Sequence, residues 1–143
     1  MSTLVRPNIS KKNRYYISRH RFYELKHFCL QYPEWQKERL SYLRPESRSV
    51  ITTSKLLSDP TPEQAIALES VTAKIKLVDD AIALTDPELS SWLAKAVCYG
   101  VTFSALIGLY GIPCSRDTFY DRYRKFYYIL SCLKDAPREK SSI

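Results

Sequence analysis

The sequence predicts an all-α fold, a helical bundle that closes with a helix-turn-helix. Three observations carry this. Apolar residues recur at spacings of three and four along most of the chain, the period of one helix face. Glycine occurs only 3 times in 143 residues, too rarely for a β-sandwich, a phosphate-binding loop or a Rossmann fingerprint. Several apolar stretches open on Ser, Thr or Asp, twice with Pro next, which are helix-start signals. No segment alternates apolar and polar residues between turn signals, and no internal repeat is evident.

Taken in order, residues 1–13 hold Pro, Ser, Lys and Arg without periodicity and read as a basic tail. A first helix is expected from about Ile17 to Gln31, with Phe22, Leu25, Cys29 and Tyr32 on one face. His20, Glu24 and His27 take the opposite, solvated side. Pro33 starts a second helix at its first position, with Glu34 favourable to the helix dipole, and this helix runs to about Leu43. Residues 1–43 thus form a basic N-terminal helical segment. Residues 44–60 are rich in Ser, Thr and Pro and are expected to be a linker.

The segment 61–143 reads as a second helical unit. Thr61-Pro62-Glu63-Gln64 combines an N-cap, a Pro at the first helical position and a capping box. It opens a long helix over 62–85. Leu68, Val71, Ile75, Val78 and Ile82 then form a narrow stripe of heptad type. That stripe fits either packing within the chain or a homodimer seam. Asp86-Pro87-Glu88 repeats the start signal, and a short helix follows with Trp92, Leu93, Ala96 and Val97 inward, ending at Gly100. Thr102 caps another short helix, with Phe103, Leu106 and Ile107 apolar, that ends near Gly111. Ile112-Pro113-Cys114 makes a turn, Ser115 caps the last helix, and that helix runs to about Lys134, with Pro137 beyond it.

Charge bears on partners. Residues 1–50 carry 11 basic and 4 acidic side chains, 51–100 carry 4 and 7, and 101–143 carry 7 and 4. The chain as a whole is +7. Basic ends around an acidic middle suit a polyanion, and nucleic acid is the usual one. Catalytic sets are missing from the sequence. His20 and His27 are the only histidines, and Cys29, Cys98, Cys114 and Cys132 are too far apart for a zinc pattern. All four Cys are expected to act as small core hydrophobes. Asp79 and Asp80 are adjacent, so a helix turns them about 100° apart. The expectation is a protein that is not an enzyme and needs no cofactor or metal. No apolar run approaches membrane-spanning length and the N-terminus lacks an apolar signal region, so a cytoplasmic, non-membrane protein is expected.

Residues 86–134 have the order of a helix-turn-helix with one support helix in front. In the last helix Phe119, Tyr123, Phe126, Leu130 and Leu133 share an apolar face. Ser115, Arg116, Asp117, Thr118, Tyr120, Asp121, Arg124, Lys125 and Tyr128 are left as the candidate DNA-contacting set, with Arg122 at a boundary. Arg can fork onto guanine, Lys and Tyr can hold phosphate, and Asp can accept from cytosine. Replacing Arg124 and Lys125 with Ala is expected to abolish specific binding. An Asp121–Lys125 ion pair on a merely solvated face is the plainer reading. Phe119 lies eight positions after Gly111, so the turn is longer than the usual 3–4 residues or so.

The stretch Tyr23-Glu24-Leu25-Lys26-His27-Phe28-Cys29-Leu30-Gln31-Tyr32-Pro33-Glu34-Trp35 resembles small prophage proteins of Gram-positive bacteria. So does Ile112-Pro113-Cys114-Ser115-Arg116-Asp117-Thr118-Phe119-Tyr120-Asp121-Arg122-Tyr123-Arg124-Lys125-Phe126-Tyr127-Tyr128. Together they look like phage transcriptional activators of the RinA/ArpU type, over most of residues 14–134. The resemblance implies a C-terminal helix-turn-helix similar to region four of bacterial sigma factors. It also implies a role in switching on late phage genes, and a recognition helix over 115–128. Double-stranded DNA, RNA polymerase and a second copy of the chain are the partners it implies. Two rival readings stand beside it: a small terminase subunit, and a helical adaptor whose basic face binds an acidic protein.

Overall fold

The computed structural model describes residues 13–43 and 61–136. Almost all of the basic tail, the expected linker 44–60 and Pro137 lie outside the described residues. The described chain is helical, without a strand. Its elements are α1 (Arg19–Leu30), α2 (Tyr32–Leu43), α3 (Pro62–Thr85), a 3-10 turn (Pro87–Leu89), α4 (Ser90–Tyr99), α5 (Phe103–Tyr110) and α6 (Arg116–Asp135). No helix among the described residues is long and apolar enough to cross a membrane.

Local chemistry explains the boundaries. Ser18 caps α1 by accepting from the Arg21 N–H, so the helix starts two residues later than the apolar period suggests. At the head of α3 both halves of the capping box form. Thr61 Oγ1 accepts from Gln64 N–H at 3.1 Å, and Gln64 Oε1 accepts from Thr61 N–H at 3.1 Å. Asp86 ends α3 and caps the 3-10 turn through Glu88 N–H at 3.0 Å. That turn runs straight into α4. Both α4 and α5 stop on a left-handed glycine, Gly100 at φ 70° and Gly111 at φ 60°. In each case the next N–H closes back on the helix: Val101 on the Lys95 carbonyl at 3.2 Å, Ile112 on the Leu106 carbonyl at 3.1 Å. This closure satisfies carbonyls that the helix end would otherwise orphan, and a side chain at either glycine would be strained.

The long helix α3 organises the packing. Tyr32 at the head of α2 donates from its hydroxyl to Asp79 Oδ1 at 2.6 Å, while Lys74 sits over the Trp35 ring. The order 32 against 79 and 35 against 74 makes α2 and α3 antiparallel. On α3, Val71, Ile75, Val78 and Ile82 are buried inside this chain and Leu68 is packed against the same core. The heptad stripe therefore packs within the chain, the first of its two expected readings. The reason is geometric: α2, α4 and α6 already cover that stripe.

Phe22, Leu25 and Cys29 of α1, and Trp35 of α2, join the same core as Leu93, Val97, Phe119, Phe126 and Leu130. The division at 44–60 separates stretches of sequence that the packing reunites. His20, Glu24 and His27 are exposed, as the α1 period predicts. The cysteines divide: Cys29 and Cys98 are buried, Cys114 is half-buried and Cys132 is exposed. The expectation of four core cysteines fails at Cys132. It lies two residues after buried Leu130, about 200° around the helix, and so faces away from the core.

Candidate nucleic-acid interface

The turn before α6 sets the start of that helix. Gly111 reverses the chain, Ile112 buries its side chain, and Ser115 takes extended φ and ψ of −77° and 166°. Its Oγ accepts from Thr118 N–H at 3.1 Å and also meets Thr118 Oγ1 at 3.1 Å. The cap leaves other first-turn N–H groups open, a common way for a helix to meet an anion. Ser115, Arg116 and Asp117 are all exposed there.

Beyond the first turn the helix sinks into the protein. Phe119, Tyr123, Phe126 and Leu130 are buried, and Leu133 packs against the core, as the apolar period predicts. Tyr127 joins them, only 1% exposed, although the apolar face read from the sequence omits it. The signal was present: Tyr127 is four after Tyr123 and three before Leu130, on the same stripe. Its hydroxyl is buried beside Tyr123 and meets no partner at full hydrogen-bonding geometry among the described residues. Burial pushes the Tyr127 phenol well up and the Tyr123 phenol up to about 12.

The remaining candidate residues fall into two groups. At the exposed end, the Arg116 guanidinium lies over the rings of Phe103 (5.2 Å) and Tyr120 (5.9 Å), a cation–π arrangement that holds it at the surface. Tyr120 is half-buried, stacked among Phe103, Phe119 and Tyr123. Asp121 pairs with Arg122 at 2.6 Å instead of the expected Lys125. Arg122 reaches on to Asp86 at 2.9 Å, and this bond holds its pKa above the ordinary value. Arg122 therefore ties the front of α6 to the end of α3, and draws Asp121 away from an i,i+4 partner.

Further along, the candidate face is partly covered. Tyr15, from the segment leading into α1, lies 5.8 Å from the Tyr128 ring, and Arg14 sits over Tyr15 at 5.0 Å. Arg124 is half-buried with a buried, unpartnered Nε, and Lys125 is half-buried. The exposed charged end is thus Ser115–Asp117, while Arg124 to Tyr128 form a shallower strip shared with Arg14 and Tyr15. Sequence reasoning missed Arg14 and Tyr15, because a contact across more than a hundred residues leaves no local signal.

Arg21 makes a second clamp. It donates to Ser131 Oγ at 3.0 Å, to the Ser131 carbonyl at 3.3 Å and to Asp135 at 2.7 Å, fixing α1 to the far end of α6. Among the described residues no three His, Cys, Asp or Glu side chains come together as metal ligands. No protein-family model, curated protein or solved structure matches this chain.

Proposed function

We propose that the chain is a sequence-specific, double-stranded-DNA-binding transcription regulator that reads the major groove with the first turns of α6. One observation carries the reading. A helix whose last two-thirds are anchored in the core presents a capped, exposed first turn with Ser115, Arg116 and Asp117. Rigid anchorage and an open N-terminal end are what a groove-reading helix needs. The order α4, α5, turn, α6 suits a helix-turn-helix of the sigma region-four kind. Regulation of phage or prophage late genes, alone or beside RNA polymerase, rests on the resemblance of residues 112–128. Lys125, Arg124 and Arg14 would add phosphate contacts along the strip behind the first turn.

The test is selection from a pool of random duplexes, followed by a mobility shift at several salt concentrations. One sequence should be enriched, and the logarithm of the affinity should fall linearly with the logarithm of salt. The double variant Arg116→Ala with Lys125→Ala should lose about tenfold or more in affinity, the loss of one or two such contacts, while melting as the parent does. Arg124 is the poorer choice, since its half-buried guanidinium also packs within the protein. Absence of any enriched sequence would falsify the proposal.

One observation favours a second reading, the protein-interaction adaptor. The outer side of α5 is apolar: Ile107 is 48% and Leu109 75% exposed, with Tyr110 beside them. A DNA backbone gains nothing from such a surface, whereas a protein partner does.

A further inference from the structure

A cavity of about 250 Å³ opens between α1, the α4–α5 junction and the front of α6. Lys26 and Leu30 form one wall, and Val101, Thr102 and Phe103 another. Phe119, Tyr120, Tyr123 and Tyr127 complete it. Its lining has three properties that together describe a ligand. Five aromatic rings surround it, which suits a flat, polarisable body. Its only charged lining residue is Lys26, which makes no ion pair among the described residues, and no carboxylate lines the cavity. Tyr127, on the same wall, carries the buried hydroxyl without a partner.

The mouth adds to the positive field. Thr102 caps α5 by accepting from Ala105 N–H at 3.2 Å, so the Phe103 and Ser104 N–H groups stay open at that helix start. Arg116 lies over Phe103 and Tyr120, two of the lining rings. An unpaired buried hydroxyl is costly, and a ligand able to reach it would offset that cost. The volume is below the range of about 300–1,000 Å³ typical of drug-sized ligands, so one or two fused rings fill it.

We propose that this cavity is a binding site for a small planar aromatic carboxylate, with the ring among Phe103, Phe119 and the tyrosines. The carboxylate meets Lys26 and the open N–H groups of α5, and the Tyr127 hydroxyl bonds the ligand's polar edge. The site stands independently of the DNA-binding reading. It is tested by titrating the full chain with indole-3-acetate and, separately, with uncharged indole, followed by calorimetry and ligand-observed NMR. Indole-3-acetate should bind, and indole should bind about tenfold more weakly, the loss of one charge-assisted contact. Lys26→Met should weaken indole-3-acetate to a similar degree. Tyr127→Phe should weaken it severalfold while leaving the ligand-free melting temperature unchanged or raised, because the unpaired hydroxyl is gone. No binding at millimolar ligand, equal binding of indole, or unchanged affinity in either variant overturns the assignment.

Discussion

Single side chains decide how the helices are held at their ends. Arg21 illustrates the difference between a surface ion pair and a clamp. Its pairs with Glu24 and Asp135 involve exposed carboxylates and contribute little. Its bonds to Ser131 are part-buried and bridge 110 residues of sequence. Arg21→Ala is therefore expected to destabilise the fold by about 1–2 kcal/mol, while Glu24→Ala changes it by less than about 0.5 kcal/mol. Urea unfolding of the two variants checks both. Arg122 plays the same part at the other end of α6. Asp86 serves it twice, capping the 3-10 turn with one oxygen and holding Arg122 with the other. The Arg21–Ser131 and Arg122–Asp86 bonds join residues far apart in the sequence, so no local pattern announces them.

At the scale of elements, the caps and the left-handed glycines were legible because their chemistry is local. Thr61, Thr102 and Ser115 each accept from the third residue ahead, as the sequence predicts. Ser115 also fixes where the candidate reading helix begins. Ser115→Ala should lower stability by about 1 kcal/mol, and hydrogen exchange should quicken over the first turn of α6 with little change at buried Leu130. Uniform quickening along the helix would show instead that the cap supports the whole fold. Ile107, by contrast, shares the apolar character of Phe103 and Leu106 in the sequence yet is half-exposed. The helix α5 is apolar nearly all round, so its sequence period does not say which side turns inward.

For the whole molecule, buried ionisable groups set the response to pH. Burial raises the Cys98 thiol to about 12 and pushes Cys29 well up, and the Tyr123 and Tyr127 phenols rise for the same reason. Unfolding returns these groups to water, where thiols ionise near 9.0 and phenols near 10.0. Between those values and the raised ones, the unfolded chain holds fewer protons than the native one. Stability is then fully present below pH 9 and falls as pH rises from 9 toward 12. Thermal melts across that range should show a steady decline in midpoint; a flat profile would mean that these groups are not buried in solution. Because α1 and α2 share their core with α3, α4 and α6, the decline should follow one cooperative transition.

The sequence by itself determined the helical class, the order of the helices, most of their ends and most of the apolar face of α6. Those features depend on residues within one or two turns of each other, and the period of three and four records them directly. Only the tertiary structure decided what each face meets. It packed the Leu68–Ile82 stripe on the chain's own core and turned Cys132 outward. It drew Tyr15 across Tyr128 and gathered five aromatic rings and Lys26 around one cavity. A helical period gives the direction of a side chain relative to its own axis. The neighbour it finds there depends on how the axes pack, and that is settled by contacts between residues far apart in sequence.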